Sequence, residues 1–262
     1  VEKLREIVNR TQGTLLLTGP SSSGKTTTIY ALLREMMSAH ASTTNVVTIE
    51  DPVEYTMEKA SQIQVNPNVE FTFANALRAI LRQDPEIIMV GEIRDIETCK
   101  MAVQAGLTGH FVISTIHSGT AAGVFTRLLD MGIEPFLIAS SLSGVLAQRL
   151  VRLNCPECAE DYDPDPLLRA HFDLSGREYA FRKGAGCEAC HGIGYRGRAS
   201  IGEMLEVDQE LSELVLTRPT TSQMHRIALE HGMEPLLQDG LKKVARGITT
   251  LEELVRVMPT LL

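Results

Sequence analysis

"GPSSSGKTTT", residues 19–28, lies between the apolar run Leu15–Leu17 and the helix-like stretch Ile29–Leu33. Gly19, Gly24, Lys25 and Thr26 fit G-x-x-x-x-G-K-[ST] without a gap, and a strand before with a helix after is the setting that this pattern requires. Small residues let successive backbone N–H groups turn inward, and the positive end of the following helix dipole adds to them, so the loop encloses phosphate oxygens. Lys25 then meets the β- and γ-phosphates, and the Thr26 hydroxyl holds Mg²⁺. The competing reading is an ordinary turn rich in glycine and serine; three fixed residue types in a strand–loop–helix frame argue against it.

Working outward, the first strand is expected at Thr14–Thr18, preceded by a short amphipathic helix through Leu4, Ile7 and Val8. Further strands are expected at Asn45–Ile49, Ile63–Val65, Ile87–Val90 and Phe111–Thr115. Helices are expected from the loop to about His40 and at Phe73–Gln83, Asp95–Ala105, Ala121–Asp130 and Pro135–Leu150. This alternation predicts an α/β domain with a mostly parallel, buried sheet. Past Leu153 the texture turns rich in Cys, Pro and Gly, which predicts a loop-rich module that needs a staple. From Asp208 the chain reads as short helices broken near Arg218-Pro219, His231-Gly232 and Gly247. Three parts are therefore expected: a core over 1–153, a cysteine module over 154–200 and a helical subdomain over 201–262.

Composition narrows the function classes. With 262 residues, 44% of them hydrophobic, the chain can bury a sizeable core. Its formal charge of −8 and lack of long Lys/Arg runs exclude the electrostatic footprint of a phosphate-backbone binder, so no nucleic acid is expected as a partner. The longest mostly apolar stretch, Phe136–Val151, is interrupted by Ser140, Ser141, Ser143, Gln148 and Arg149 and is too polar for a bilayer span of roughly 20 residues. No signal-peptide pattern opens the chain, so a cytoplasmic location is expected, with membrane proteins still available as partners. Starting at Val1 without methionine, the sequence is expected to be a piece of a longer protein.

Two acidic segments and one histidine segment point at the same place. "IIMVGEIRD", residues 87–95, would form a buried strand with Glu92 just past its C-terminal end, where open α/β sheets gather ligands. A carboxylate there orients or activates water against a γ-phosphate; a solvated strand-end charge is the alternative. "TIEDPVEY", residues 48–55, brings Glu50, Asp51 and Glu54 together, and Pro52 favours an extended Asp51. Glu50 is the second candidate for general base, against the reading of an acidic surface loop. "TGHFVISTIHSG", residues 108–119, places His110 and His117 at opposite ends of a strand. Each alone reads equally as a hydrogen-bonded structural residue, while the rim position of His117 suits sensing of a γ-phosphate or a neighbouring subunit.

Cys155, Cys158, Cys187 and Cys190 form two C-x-x-C pairs, and four thiolates suit tetrahedral Zn²⁺. The long loop between the pairs costs only about half a kcal/mol more in closure entropy, against a structural zinc affinity on the order of 10 kcal/mol. Disulfides are the rival, disfavoured in a reducing compartment. Cys99 falls at an apolar helical position and reads as core.

Taken as a set and in this order, "GPSSSGKTTT", "TIEDPVEY", "DPEIIMVGEIRD", "TGHFVISTIHS", "AQRLVRLNCPEC" and "CEACHGIGYRGR" resemble the motifs of the type II secretion and type IV pilus assembly ATPases over nearly the whole chain. The resemblance implies an α/β fold with a RecA-like P-loop NTPase core, a small zinc-binding module and a C-terminal helical subdomain. It implies that Gly19, Pro20, Ser21, Ser22, Ser23, Gly24, Lys25, Thr26 and Thr27 bind ATP with Mg²⁺, and that Glu50 and Glu54 belong to an acidic box. Glu92 is then the catalytic glutamate, Arg94 belongs to its motif, His110 and His117 form a histidine box, and the four cysteines bind Zn²⁺. It further implies a homohexamer that passes movement to inner-membrane platform proteins, and an N-terminal domain contributing arginines to the nucleotide. The tetracysteine module favours an assembly or secretion motor over a retraction motor. The chain departs from the pattern at Ser22, where glycine is common, at Glu86, where aspartate is common, and in "HSGTA", residues 117–121. A nucleic-acid-translocating motor and a nucleotide-gated scaffold without turnover are the rival functions.

Overall fold

The computed structural model describes residues 2–39, 44–172, 174 and 178–258. The helix α1 (Glu2–Val8) leads into β1 (Gly13–Thr18), and α2 (Lys25–Ala39) follows the phosphate loop; His40, the expected end of that helix, lies outside the described residues. Next come β2 (Val46–Glu50), β3 (Ala60–Gln64), α3 (Phe73–Ile80), β4 (Ile87–Val90), α4 (Ile96–Leu107), β5 (Phe111–Ile116) and α5 (Ala121–Asp130). Every residue of β1, β2, β4 and β5 is buried, as strands covered on both faces must be. The helices start on side-chain caps: Thr72, Asp95 and Thr120 each accept a backbone N–H of the first turn of α3, α4 and α5.

The helix expected over Pro135–Leu150 is corrected. The helix α6 (Pro135–Ser141) stops after seven residues, and β6 (Leu142–Asn154) begins at once. Leucine and alanine favour a helix here locally, but β1 has a free side in the sheet and β6 fills it, pairing in parallel from Thr14↔Leu142 to Thr18↔Ala147. Gly144 leaves room for side chains of α1 and the strand on the other side of β6: a Cβ on it would stand 2.7 Å from Ile7 and 2.6 Å from Met204. Beyond it follow β7 (Ala159–Asp161), α7 (Pro166–His171), β8 (Arg182–Gly184), β9 (Tyr195–Glu206), α8 (Gln209–Leu216), α9 (Thr221–Glu230), α10 (Leu236–Ala245) and α11 (Leu251–Val257). The long strand β9 runs across the boundary expected at residue 200, from the cysteine module into the helical subdomain. The seven-stranded sheet has the order β3-β2-β4-β5-β1-β6-β9, and β7 pairs antiparallel with β8.

Contacts divide the chain elsewhere than composition does. One compact unit comprises Val1–Ser21, Lys25–Ala147 and Met204–Met233; the other comprises Ser22–Gly24, Gln148–Glu203 and Glu234–Leu262. The first has two cores because side chains alternate along β1. Leu16 faces a cluster with Ile49, Val90 and Val112 that also takes in Leu211, Val215 and Met224 of α8 and α9. Leu15 and Leu17 face Ile29, Leu33, Met89 and Ile113. The second unit packs Val151, Ile201, Leu241, Val244, Leu251 and Leu254 together. Among the described residues no helix is long and apolar enough to cross a membrane.

Candidate active site

Because β2, β4, β5 and β1 are parallel neighbours, their C-terminal ends share one rim. Glu50 ends β2, Glu92 follows β4, His117 follows β5 and the phosphate loop follows β1. A cavity of about 330 Å³ opens at this rim, a size in keeping with ligand pockets. Of the residues expected from sequence, Ser21, Lys25, Thr26, Glu50, Glu54, Glu92, Arg94 and His117 line it.

The loop that feeds the cavity turns through positive φ at Gly19 (146°), Ser22 (62°) and Gly24 (88°). Ser22 thus holds a left-handed conformation that costs a non-glycine residue about 1–2 kcal/mol. Lys25 Nζ folds over the loop and donates to the carbonyls of Gly19 and Pro20 at 2.9 Å each. In the second unit, Gln148 Nε2 donates to the Ser23 carbonyl at 2.7 Å, and Gly24 is pressed so close to Gln148 that a Cβ would meet its Nε2 at 3.0 Å. Pro20 and Thr27 are exposed and do not line the cavity.

Geometry separates the two candidate bases. Glu50 is 2% exposed, and both of its oxygens accept from side chains: Oε2 from the Tyr30 hydroxyl, and Oε1 from Thr48 Oγ1 at 2.6 Å and Gln62 Nε2 at 3.1 Å. Burial, with the hydrogen bond to Glu50, pushes the Tyr30 phenol up to about 12. Glu92 keeps 23% of its side chain exposed, with Oε1 accepting from Arg94 at 2.5 Å and Oε2 standing 3.9 Å from His117 Nε2. Arg94, which also lies 3.8 Å from Asp51, has its pKa raised by that hydrogen bond to Glu92.

The two histidines part company. His117 faces the cavity, and the next residue is pinned to β1: Ser118 N–H donates to Thr18 Oγ1 at 2.8 Å, and that hydroxyl donates back to the Ser118 carbonyl at 2.9 Å. His110 sits at the other end of the strand with Nδ1 3.1 Å from the Ala105 carbonyl. The six residues of β5 hold the two apart by roughly 20 Å, so the structure does not bring His110 to the cavity. The departures from pattern find local uses: Thr120 of "HSGTA" caps α5 by accepting from Gly123 N–H at 3.1 Å, and Glu86 accepts from the Asn45 N–H. Sequence reading missed Phe73 and Thr115, which also line the cavity, and the Tyr30 and Gln62 contacts to Glu50. The alternation Thr48-Ile49-Glu50 and Gln62-Ile63-Gln64 is the available signal for the Gln62 contact, since it puts the polar residues of both strands on one face.

The four cysteines converge in the second unit. Sγ of Cys155 lies 3.8 Å from that of Cys187, Cys158 lies 3.8 Å from Cys190, and Cys187 lies 3.7 Å from Cys190. Zinc bonded to four sulfurs at about 2.3 Å requires sulfur separations of about 3.8 Å, so the donor set fits a tetrahedral ion and is too wide for disulfides. Backbone N–H groups point at the sulfurs, those of Cys187 and Gly194 at Cys190 Sγ (3.1 and 3.3 Å) and that of Gly186 at Cys158 Sγ (3.3 Å). These donors, that of Cys187 foremost, lower the Cys190 thiol, while burial and the neighbouring thiols raise that of Cys158, so the four sulfurs share their protons as one cluster. Cys99 is fully buried in the first unit, and burial pushes its thiol up to about 12, as a core residue.

The chain resembles known proteins over most of its length. Residues 1–256 match the family described as Type II/IV secretion system protein. The chain is 51% identical over 257 residues to the type II secretion system ATPase E of Vibrio cholerae serotype O1, covering 98% of this chain and 50% of that protein. It is 47% identical over 257 residues to the type IV pilus assembly ATPase PilB of Thermus thermophilus, covering 97% of this chain and 29% of that one. The chain thus spans about half the length, or less, of these relatives. Among solved structures, the pilus retraction motor PilT with bound ADP superposes with a TM-score of 0.73 at 27% identity, over 99% of this chain and 65% of that chain. A phosphate loop, a rim carboxylate and a family match over nearly every residue converge: the chain belongs to the Type II/IV secretion system protein family.

Proposed function

We propose that this chain is the ATP-hydrolysing part of a motor that drives pilus or pseudopilus assembly in type IV pilus biogenesis or type II secretion. The observation that carries the reading is that Lys25 and Thr26 of the phosphate loop and the Glu92 carboxylate line one cavity. The names of its ATPase relatives and the ADP in PilT support the nucleotide assignment.

In this reading Glu92 orients a water molecule and takes its proton at a carboxylate oxygen as the water attacks the γ-phosphorus. The bond from that phosphorus to the β-bridging oxygen breaks, leaving ADP and phosphate. Lys25 leaves its carbonyl partners for the β- and γ-oxygens. The Thr26 hydroxyl would hold Mg²⁺, which when bound neutralises charge on those oxygens. Arg94 and His117 hold Glu92 from either side and report the loss of the γ-phosphate. A motor also needs two arrangements that ATP and ADP favour differently, and the γ-phosphate contacts of Lys25 and Glu92 supply that difference. Cys155, Cys158, Cys187 and Cys190 bind one structural Zn²⁺. The working assembly is a homohexamer in the cytoplasm, docked on inner-membrane platform proteins; the charge of −8 supports protein rather than nucleic-acid partners.

Glu92→Gln tests the assignment. Steady-state phosphate release should fall by about 10² to 10⁴ with nucleotide affinity retained. Turnover that survives in Glu92→Gln and vanishes in Glu50→Gln would reverse the roles of the two carboxylates.

A further inference from the structure

We infer that Gln62 and Gln64 form an amide clamp that sets the acidic loop, residues 51–59, over the cavity, which makes both positioning residues for the hydrolysis proposed above, the reading on which this inference rests. The need for a clamp comes from topology. The strands β2 and β3 are adjacent and parallel, a connection that ordinarily takes a dozen or more residues and a helix. Here residues 51–59 make it with no helix, so the loop has no ladder of its own to satisfy its backbone groups. Asp51 and Glu54, which line the cavity, stand on this segment.

The strand β3 is the edge of the sheet, and its register sets Thr48 beside Gln62 and Glu50 beside Gln64. Period-two alternation turns both glutamines to the face that carries Tyr30 of α2, while Ile63 packs on the opposite core. Gln64 Oε1 accepts the Val53 N–H at 3.1 Å, just after Pro52. Gln62 Oε1 accepts the Met57 N–H at 2.6 Å, and its Nε2 donates to the Tyr55 carbonyl and to Glu50 Oε1, both at 3.1 Å. The loop is thus gripped at its entry and its exit. Partner chemistry fixes the orientation of the Gln62 amide: an N–H must face oxygen, and a carbonyl and a carboxylate must face the NH₂.

Gln62 also joins the loop to the phosphate site. Tyr30 lies on the helix that opens with Lys25 and Thr26, and its hydroxyl donates to the same Glu50 carboxylate. From the second turn of α2 to the acidic loop the chain of contacts is continuous: Tyr30, Glu50, Gln62, then Tyr55 and Met57. The clamp therefore holds Asp51 and Glu54 at a set distance from the residues that grip phosphate and metal.

The two glutamines differ in a way that gives the test. Among the described residues the Gln64 side chain makes one hydrogen bond, as an acceptor, so Gln64→Glu keeps it and Gln64→Leu removes it at an exposed position. Gln62→Glu keeps the acceptor for Met57 but sets a carboxylate oxygen against Glu50 and the Tyr55 carbonyl. Turnover of Mg²⁺-ATP, Mg²⁺ half-saturation and amide exchange of peptides spanning 51–59 would be measured on the purified protein. Gln62→Glu should lower kcat at least 10-fold and raise the Mg²⁺ requirement several-fold, with faster exchange in 51–59 and unchanged protection in β5. Gln64→Leu should show the same pattern more weakly, and Gln64→Glu should recover it. Wild-type kcat and Mg²⁺ dependence in both Gln62→Glu and Gln64→Leu would overturn the clamp, as would equal losses in Gln64→Glu and Gln64→Leu. An unmodified protein without affinity for Mg²⁺-ATP would overturn the nucleotide reading itself, and the clamp's role in hydrolysis with it.

Discussion

Glu253 offers the most quantitative test of what holds the second unit together. Its side chain is fully buried on α11 between two arginines. Oε1 accepts from the Arg152 backbone N–H (2.8 Å) and from Arg256 (2.6 Å); Oε2 accepts from Arg152 Nε (3.0 Å) and Nη2 (2.7 Å) and from Arg256 Nε (2.8 Å). Burial alone would raise this carboxyl, but Arg256 and Arg152 override it and bring it down to about 2 from an ordinary 4.5. A carboxyl depressed in the folded state stabilises above its unfolded value and loses that contribution as pH falls from about 4.5 toward 2. At 1.36 kcal/mol per unit this comes to a little over ~3 kcal/mol, and since Arg152 and Arg256 remain 40% and 51% exposed, screening by water reduces it to about 2 kcal/mol.

Glu253→Gln keeps the shape but turns an NH₂ toward guanidinium donors, removing charge-assisted bonds from a buried site, for which about 2–3 kcal/mol is expected at neutral pH. With urea slopes of about 1–3 kcal/mol per molar, the unfolding midpoint should drop by about 1–2 M. The chain has no tryptophan, so the transition is best followed by amide exchange in peptides from β6 and α11. The wild type should lose its advantage over Glu253→Gln between pH 4.5 and 2.5. Taking the difference cancels the other carboxylates that titrate in that window and any loss of metal from the cysteines. Equal midpoints at pH 7, or a gap that persists unchanged at pH 2.5, would refute the argument that the carboxylate carries this stability.

Two further outcomes are expected. Metal analysis should find about one zinc per chain, and Cys155→Ser should abolish it and speed exchange in β7 and β8 while β1, β4 and β5 keep their protection; uniform loss across both units would contradict the modular staple. Ser22→Gly should relieve the left-handed strain of about 1–2 kcal/mol, offset by about 0.4–1 kcal/mol of extra unfolded-state freedom, for a net gain near 0.5 kcal/mol in a urea titration. A destabilised Ser22→Gly would mean that the serine side chain itself holds the loop.

What could be read from the sequence was whatever depends on a short window. Ile87–Val90 and Ala121–Asp130 come out with the boundaries expected, because continuous apolar runs and caps such as Thr120 are local signals. The turn from β1 into α2 at residues 19–24 is legible for the same reason, since its small residues are consecutive. Pro135–Leu150 fails because its leucines and alanines suit a helix in isolation, whereas the vacant side of β1 can be seen only once the sheet exists. Residues 204–233 read as part of a separate C-terminal piece, yet their apolar side chains join the core of the first unit through contacts with residues far away in sequence.

The same distinction runs through the site. Carboxylates at strand ends are foreseeable, since parallel topology carries every strand's C-terminus to one rim. Which carboxylate is free for chemistry is not foreseeable from the strand alone. Glu50 and Glu92 end neighbouring strands, and sequence ranks Glu92 first; the structure adds Tyr30, Thr48 and Gln62, three donors from two strands and a helix that occupy the oxygens of Glu50, whereas among the described residues Glu92 accepts from Arg94. His110 and His117 are likewise paired by eye and separated by the length of β5. A motif therefore names the candidates for a reaction, and hydrogen bonds from outside the motif give those candidates different surroundings.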